Sequence, residues 1–297
     1  MKILELRIHM PLSLNENEIA QEWIGTVNDQ VGDKLERSSY FRIPCDERRS
    51  IIIKELPDYE DLDTQLKGSK STRHQIKAND KFLEYSDIQE AETMSKSYGR
   101  YTLFKRMIES NLPWYVQKLM PLDARSASEK TWNMYPYTKQ VTINDFFKKS
   151  CRIEIDTVTQ EHKFGESEAE NVHNLPEDKL RKREVVIVDI TDPAFGERGG
   201  YNPSSFKSTK SGRGLLEPRF WTSETNSHMP FICIYKLIVL DFKIFPIQAK
   251  VESSVADTLK EAIGKEHRRI FCSIDKWFEL SLADIRKTKP VEDKQNQ

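Results

Sequence analysis

The segment 231–245 constrains this chain most, because it reads as a strand that is apolar on both faces. Ile232, Ile234, Ile238, Leu240, Phe242 and Ile244 fall on one face, and Phe231, Cys233, Tyr235, Leu237 and Val239 on the other. A strand with one wet face alternates apolar and polar residues. A two-sided one needs protein or ligand packed above and below it. Beyond Pro246 the period changes: Val251, Val255, Leu259, Ile263, Ile270, Ile274 and Trp277 recur at spacings of mostly four, the stripe of an amphipathic helix. A helix of about 30 residues spans on the order of 45 Å, long enough to cover a sheet.

The rest of the chain supplies that sheet. Ile3 to Met10 reads as a strand stopped by Pro11, and Asn15 is placed to cap a helix over 16–27 with Ile19, Trp23 and Val27 inward. Strand patterns follow at 51–56, 101–108, 129–137, 140–147 and 185–190, with a short helical pattern at 111–120. In 151–157 the alternation is clean: Cys151, Ile153, Ile155 and Thr157 share one face, Arg152, Glu154 and Asp156 the other. The stretch 58–98, dense in Asp, Glu, Lys and Ser, reads as a polar insertion whose loss leaves the fold intact. Strands in series followed by one long helix imply an α+β protein, a curved antiparallel sheet around a C-terminal helix, in a single domain over 1–297. Between sheet and helix a space can be enclosed.

Composition excludes several functions. Lys+Arg 46 against Asp+Glu 47 gives no basic footprint, so no nucleic-acid partner is expected. No run of about 18 apolar residues exists to span a membrane, and the first residues lack the apolar core of a signal peptide. Cys45, Cys151, Cys233 and Cys272 are scattered without metal-ligand spacing, as expected of reduced thiols in a cytoplasmic protein with no metal site. The loop 207–214 carries cations and glycines but not the GxxxxGK[ST] order of a nucleotide loop. No nucleophile is placed beside His173, and no carboxylate pair stands out for acid–base work, so no catalytic residue is assigned.

Lys236 interrupts the apolar row of 231–245. An ammonium there is costly unless an anion meets it. A lipid phosphate would do so, with acyl chains along the flanking apolar positions. A lysine that reaches the sheet edge, or pairs with a protein carboxylate, would do so too.

Several segments bear on this choice. Trp132-Asn133-Met134-Tyr135-Pro136-Tyr137 resembles the WNxYPY segment of the classical phosphatidylinositol transfer proteins. Gly99-Arg100-Tyr101-Thr102, Leu112-Pro113, Glu170-Asn171-Val172-His173, the loop 207–214, Cys272 with Asp275-Lys276-Trp277, and Asp284-Ile285-Arg286 resemble further family elements in family order. The resemblance implies a START-like helix-grip fold enclosing one phospholipid, and exchange of phosphatidylinositol or phosphatidylcholine between membranes. It implies no enzyme activity and no cofactor, the bound lipid being cargo. Carried over by motif, Thr102, Glu129 and Asn133 contact the inositol headgroup, and Thr157 and Lys236 the phosphate. It also implies a phosphorylation site at Ser208, and a membrane-docking tip at Ile244 and Phe245, where the family commonly carries paired tryptophans. Packing of that tip beneath the long helix is the other reading. A monomer that is cytoplasmic and transiently membrane-associated is expected. A lipid-sensing adaptor without transfer activity, or a helix-grip enzyme acting on a hydrophobic substrate, are the alternatives. Two departures stand out: Phe104 and Lys289 occupy positions where the family places a lysine and a glutamate, which bears on inositol selectivity more than on lipid binding.

Overall fold

The computed structural model describes residues 1–28, 34–42, 98–107, 126–196, 200–243 and 245–288. The expected strand at 51–56, the helical pattern at 111–120, nearly all of the insertion at 58–98, and Cys45, Ile244 and Lys289 lie outside the described residues.

Eight strands form one sheet. They are β1 (Lys2–Met10), β2 (Lys34–Arg42), β3 (Tyr98–Met107), β4 (Ser126–Met134), β5 (Tyr137–Asn144), β6 (Lys148–His162), β7 (Glu184–Val188) and β8 (Phe231–Phe242), in the order β2-β3-β4-β5-β6-β8-β1-β7. The helices are α1 (Leu14–Asn28), α2 (Glu177–Lys182), α3 (Gln248–Cys272), α4 (Ile274–Trp277) and α5 (Leu282–Thr288). Strands in series, with the long α3 packed on the sheet, make an α+β architecture.

The two-sided strand lies where its composition requires. β8 sits between β6 and β1. On its inner face Ile234, Ile238, Leu240 and Phe242 pack with Leu4, Leu6 and Ile8 of β1 against Val251, Ile263 and Ile270 of α3. On its outer face Cys233 and Tyr235 pack with Val158 and Val172, the latter carried by the crossover that follows β6. That crossover is fastened by charge: Arg7 donates to Glu5 and Glu168, and Arg183 donates to Glu5.

Several boundaries differ from the sequence pattern. The sheet is mixed, because β7 pairs parallel with β1; the long crossover containing α2 gives the chain room to return in the same direction. The expected strand 129–137 breaks at the Tyr135-Pro136 turn, where proline withdraws a donor from the ladder. Ser13, not Asn15, caps α1: its hydroxyl accepts from Glu16 N at 3.3 Å, while Ser13 N donates to Glu16 Oε2 at 2.7 Å. The C-terminal stripe is also not one helix. At Ser273 the backbone leaves helical geometry and its N–H is shared between the Arg269 and Ile270 carbonyls, which ends α3 and starts α4.

Candidate functional site

Strand register decides which side chains share a face. Across the inner face one row runs Arg100, Asn133, Thr138, Thr157, Lys236, Leu6, from β3 to β1. The next runs Thr102, Thr131, Gln140, Ile155, Ile238, and the third Phe104, Glu129, Thr142, Ile153, Leu240. Thr102, Glu129, Asn133, Thr157 and Lys236 therefore share one face, within three adjacent rows. A single slip of register in any intervening strand would have scattered them.

Polar contacts along the first row are sparse. Thr138 Oγ1 donates to Asn133 Oδ1 at 3.3 Å, and Lys236 Nζ to Thr157 Oγ1 at 3.5 Å. Thr102, Glu129 and Thr157 are buried, whereas Asn133, Thr138, Gln140, Thr142 and Ile153 keep partial exposure. Burial lowers the Lys236 ammonium below the usual lysine range, and the nearby Glu266 charge only partly opposes this. Lys236 cannot reach a sheet edge, since strands flank β8 on both sides. It forms no ion pair among the described residues. Phe104 stands directly opposite Glu129 in the ladder.

His267 of α3 was absent from the sequence reading. It is 1% exposed and lies on the apolar stripe between Ile263 and Ile270, which was the signal available for finding it. Its Nδ1–H donates to the Ile263 carbonyl at 2.8 Å, while its Nε2 is buried with no hydrogen-bond partner. Burial first, and the Lys236 charge second, push its pKa down to about 4.

The remaining positions lie elsewhere. Phe245 is 95% exposed at the turn after β8, so it does not pack beneath α3. Ser208 is 2% exposed, and its hydroxyl is held by Asp275 at the start of α4. Thr209 N and Oγ1 donate to the same carboxylate at 3.0 and 2.9 Å, and Lys210 N at 3.2 Å. Arg213 from this loop meets both carboxylate oxygens of Glu16 in α1 at 2.9 Å. His173 is buried beside Val172 in the crossover, away from the Lys236 row. Tyr135, in the turn between β4 and β5, donates to the Leu14 carbonyl at 2.6 Å and so fastens α1 to the sheet. Among the described residues no His/Cys/Asp/Glu group could hold a metal, and no helix is long and apolar enough to cross a membrane.

A sequence model of the phosphatidylinositol transfer protein family matches residues 68–295. The chain is 34% identical over 191 residues to phosphatidylinositol transfer protein 1 of Dictyostelium discoideum, covering 63% of this chain and 70% of that relative. Against the phosphatidylinositol transfer protein beta isoform of Bos taurus the identity is 35% over 195 residues, covering 64% and 70%. Phosphatidylinositol transfer protein 4 of Dictyostelium discoideum is 36% identical over 191 residues, covering 63% of this chain and 56% of that relative.

Proposed function

The chain belongs to the phosphatidylinositol transfer protein family, and from that premise we propose that it encloses one phospholipid between the sheet and α3 and carries it between membranes. The family transfers lipid and performs no covalent chemistry on it. In this reading the fold is a START-like helix-grip built as a single domain, with the insertion at 58–98 peripheral to it. The phosphate lies at Lys236 and Thr157. An inositol ring, where the cargo has one, lies toward Thr102, Glu129 and Asn133.

One observation carries the proposal: an ammonium on an inner apolar face, remote from the sheet edges and with no ion pair among the described residues. Such a charge needs an anion. Position supports the rest. Adjacent strands lie about 4.8 Å apart, so Asn133 and Thr157, two strands removed, stand on the order of 10 Å apart, with partly exposed polar side chains between them. On the neighbouring rows Ile153 keeps partial exposure and suits an acyl chain, beside Ile155, Ile238 and Leu240 of the packed core.

The exposed Phe245, with Ile244, is the proposed docking tip at the bilayer. The carrier acts as a cytoplasmic monomer that visits membranes transiently, without a nucleic-acid partner or a cofactor. Phosphorylation of Ser208 requires the 207–214 loop to leave Asp275 first, because the hydroxyl is buried in that contact. Native mass spectrometry of the purified protein tests the core of the proposal. One phospholipid per chain is the expected mass difference, and a chain that stays lipid-free after incubation with phosphatidylcholine and phosphatidylinositol vesicles overturns it.

A further inference from the structure

We infer that His267 is a second phosphate-binding group of this site, donating from Nε2–H to the same phosphodiester that Lys236 holds. The inference rests on the carrier reading above and adds a residue and a proton to it.

The geometry gives His267 one free function. A carbonyl can only accept, so the contact with Ile263 fixes the ring proton on Nδ1 in the neutral form and leaves Nε2 as a bare, buried nitrogen. The ring lies on the helix stripe that packs on the sheet, and Lys236 stands on the sheet face that receives it. Two charged groups are felt at the ring, Lys236 of β8 and Glu266 of its own helix. An ammonium lacking an anion on the sheet and an imidazole lacking a partner on the helix thus lie close enough for the charge of one to be felt at the other. A phosphodiester shares one negative charge over two non-bridging oxygens, so one oxygen can meet each group.

The hydrogen bond has a proton requirement. A phosphodiester is ionised at neutral pH and cannot donate to Nε2, so the ring must take up one proton from solvent to become the donor. In the empty site burial first and the Lys236 charge second disfavour that proton and hold the ring at about 4. An anion brought to within hydrogen-bonding distance raises such a pKa by about one to three units. By linkage, a rise of about two units makes the loaded carrier hold its lipid about tenfold more tightly at pH 5 than at pH 7.5.

The test compares the full chain with His267→Gln and His267→Phe, each loaded with phosphatidylcholine, measuring lipid retention between pH 7.5 and 5. Imidazole NMR of the unmodified chain is recorded empty, loaded, and with inorganic phosphate alone. Loading is expected to raise the titration midpoint of His267. The glutamine amide donates at every pH, so His267→Gln should retain lipid with a flat pH profile, and His267→Phe should hold it about tenfold more weakly than the unmodified chain at pH 5 and nearly equally at pH 7.5. A midpoint unmoved by loading, or a pH profile that persists in His267→Gln, overturns the inference while leaving the carrier intact. A shift produced equally by inorganic phosphate would assign the site to the free anion and overturn the lipid assignment. If the unmodified chain never loads phosphatidylcholine, the carrier reading itself falls.

Discussion

At the residue scale, Lys236, the proposed phosphate ligand, is poorly served by the empty protein. Its ammonium is desolvated and among the described residues meets only a threonine hydroxyl at 3.5 Å, so the empty protein gains little from it. Replacement by an apolar side chain of similar length removes a half-buried, desolvated charge. Lys236→Met is therefore expected to melt at the same temperature or higher, while losing at least tenfold in phospholipid transfer. A parallel loss of both would show a structural lysine instead. The buried histidines give a pH signature. His9 is stacked on Trp221 at 4.2 Å and is pushed down to about 3 by burial and then by His162 and Arg7; His267 is pushed down to about 4. Both pKa values are lowered on folding, so the unfolded chain binds more protons in this window. Stability is full above about pH 6.5 and falls as pH drops toward 4, by up to about 1.4 kcal/mol per pH unit for each ring. Chemical denaturation of the lipid-free protein at pH 7, 6 and 5 measures it; a flat midpoint would mean the rings are protonated in the fold. Thr157 and Lys236 were legible in the sequence because strand period two assigns faces without knowledge of partners. His267 was not, since a histidine on an apolar helical stripe gives no sign of what its second nitrogen meets.

At the element scale, legibility followed the strength of the pattern. β8 and α3 were readable because a long apolar run, interrupted at Lys236 and Asp241, and a regular stripe leave few alternatives. β2, with the sequence KLERSSYFR, has no apolar alternation, and pairing with β3 rather than local pattern makes it a strand. The cap at Ser13 shows the same limit, since Ser13 and Asn15 are both good cap residues and only the reciprocal bond to Glu16 separates them. Two junctions can be broken selectively. Gly264 lies inside α3, where alanine would be the better helix former by about 1 kcal/mol. A Cβ there would meet Phe195 Cδ1 at 2.4 Å, and overpacking costs about 1–3 kcal/mol, so Gly264→Ala should lower the melting temperature by a few degrees. A rise would mean Phe195 moves aside freely. The 207–214 loop is tied to α4 through Asp275. Against the upward push of burial, the hydrogen bonds from Ser208, Thr209 and Lys210 hold this carboxyl at about 2. The folded value is depressed, so the tie is complete above about pH 4 and is lost as pH falls through 2. At neutral pH, Asp275→Asn should expose Lys207, Lys210 and Arg213 to trypsin faster than in the unmodified chain. Unchanged cleavage would show that the ion pair between Arg213 and Glu16 holds the loop unaided.

At the scale of the whole molecule, the cost of moving lipid through water decides how a carrier must work. Roughly 30 methylenes exposed to water cost about 25 kcal/mol at about 0.8 each, so a loaded carrier does not release its cargo into solution. Exchange has to happen while protein and bilayer touch, and the rate depends on how well they meet. Phe245, at 95% exposure, is the most exposed large apolar side chain among the described residues. It stands between β8, which carries Lys236, and α3, which covers it, so a bilayer gripping Phe245 pulls at the joint between the two walls of the proposed site. A phenyl ring lacks the polar handle that lets indole settle at the headgroup level. Phe245→Trp is expected to raise transfer between phosphatidylcholine vesicles severalfold, and Phe245→Asp to lower it by a similar factor. Lipid retention measured without vesicles should be the same for both variants, because the residue touches membrane and not cargo. Equal transfer by all three proteins, at equal lipid content, would remove the tip from the exchange step and leave docking to another surface.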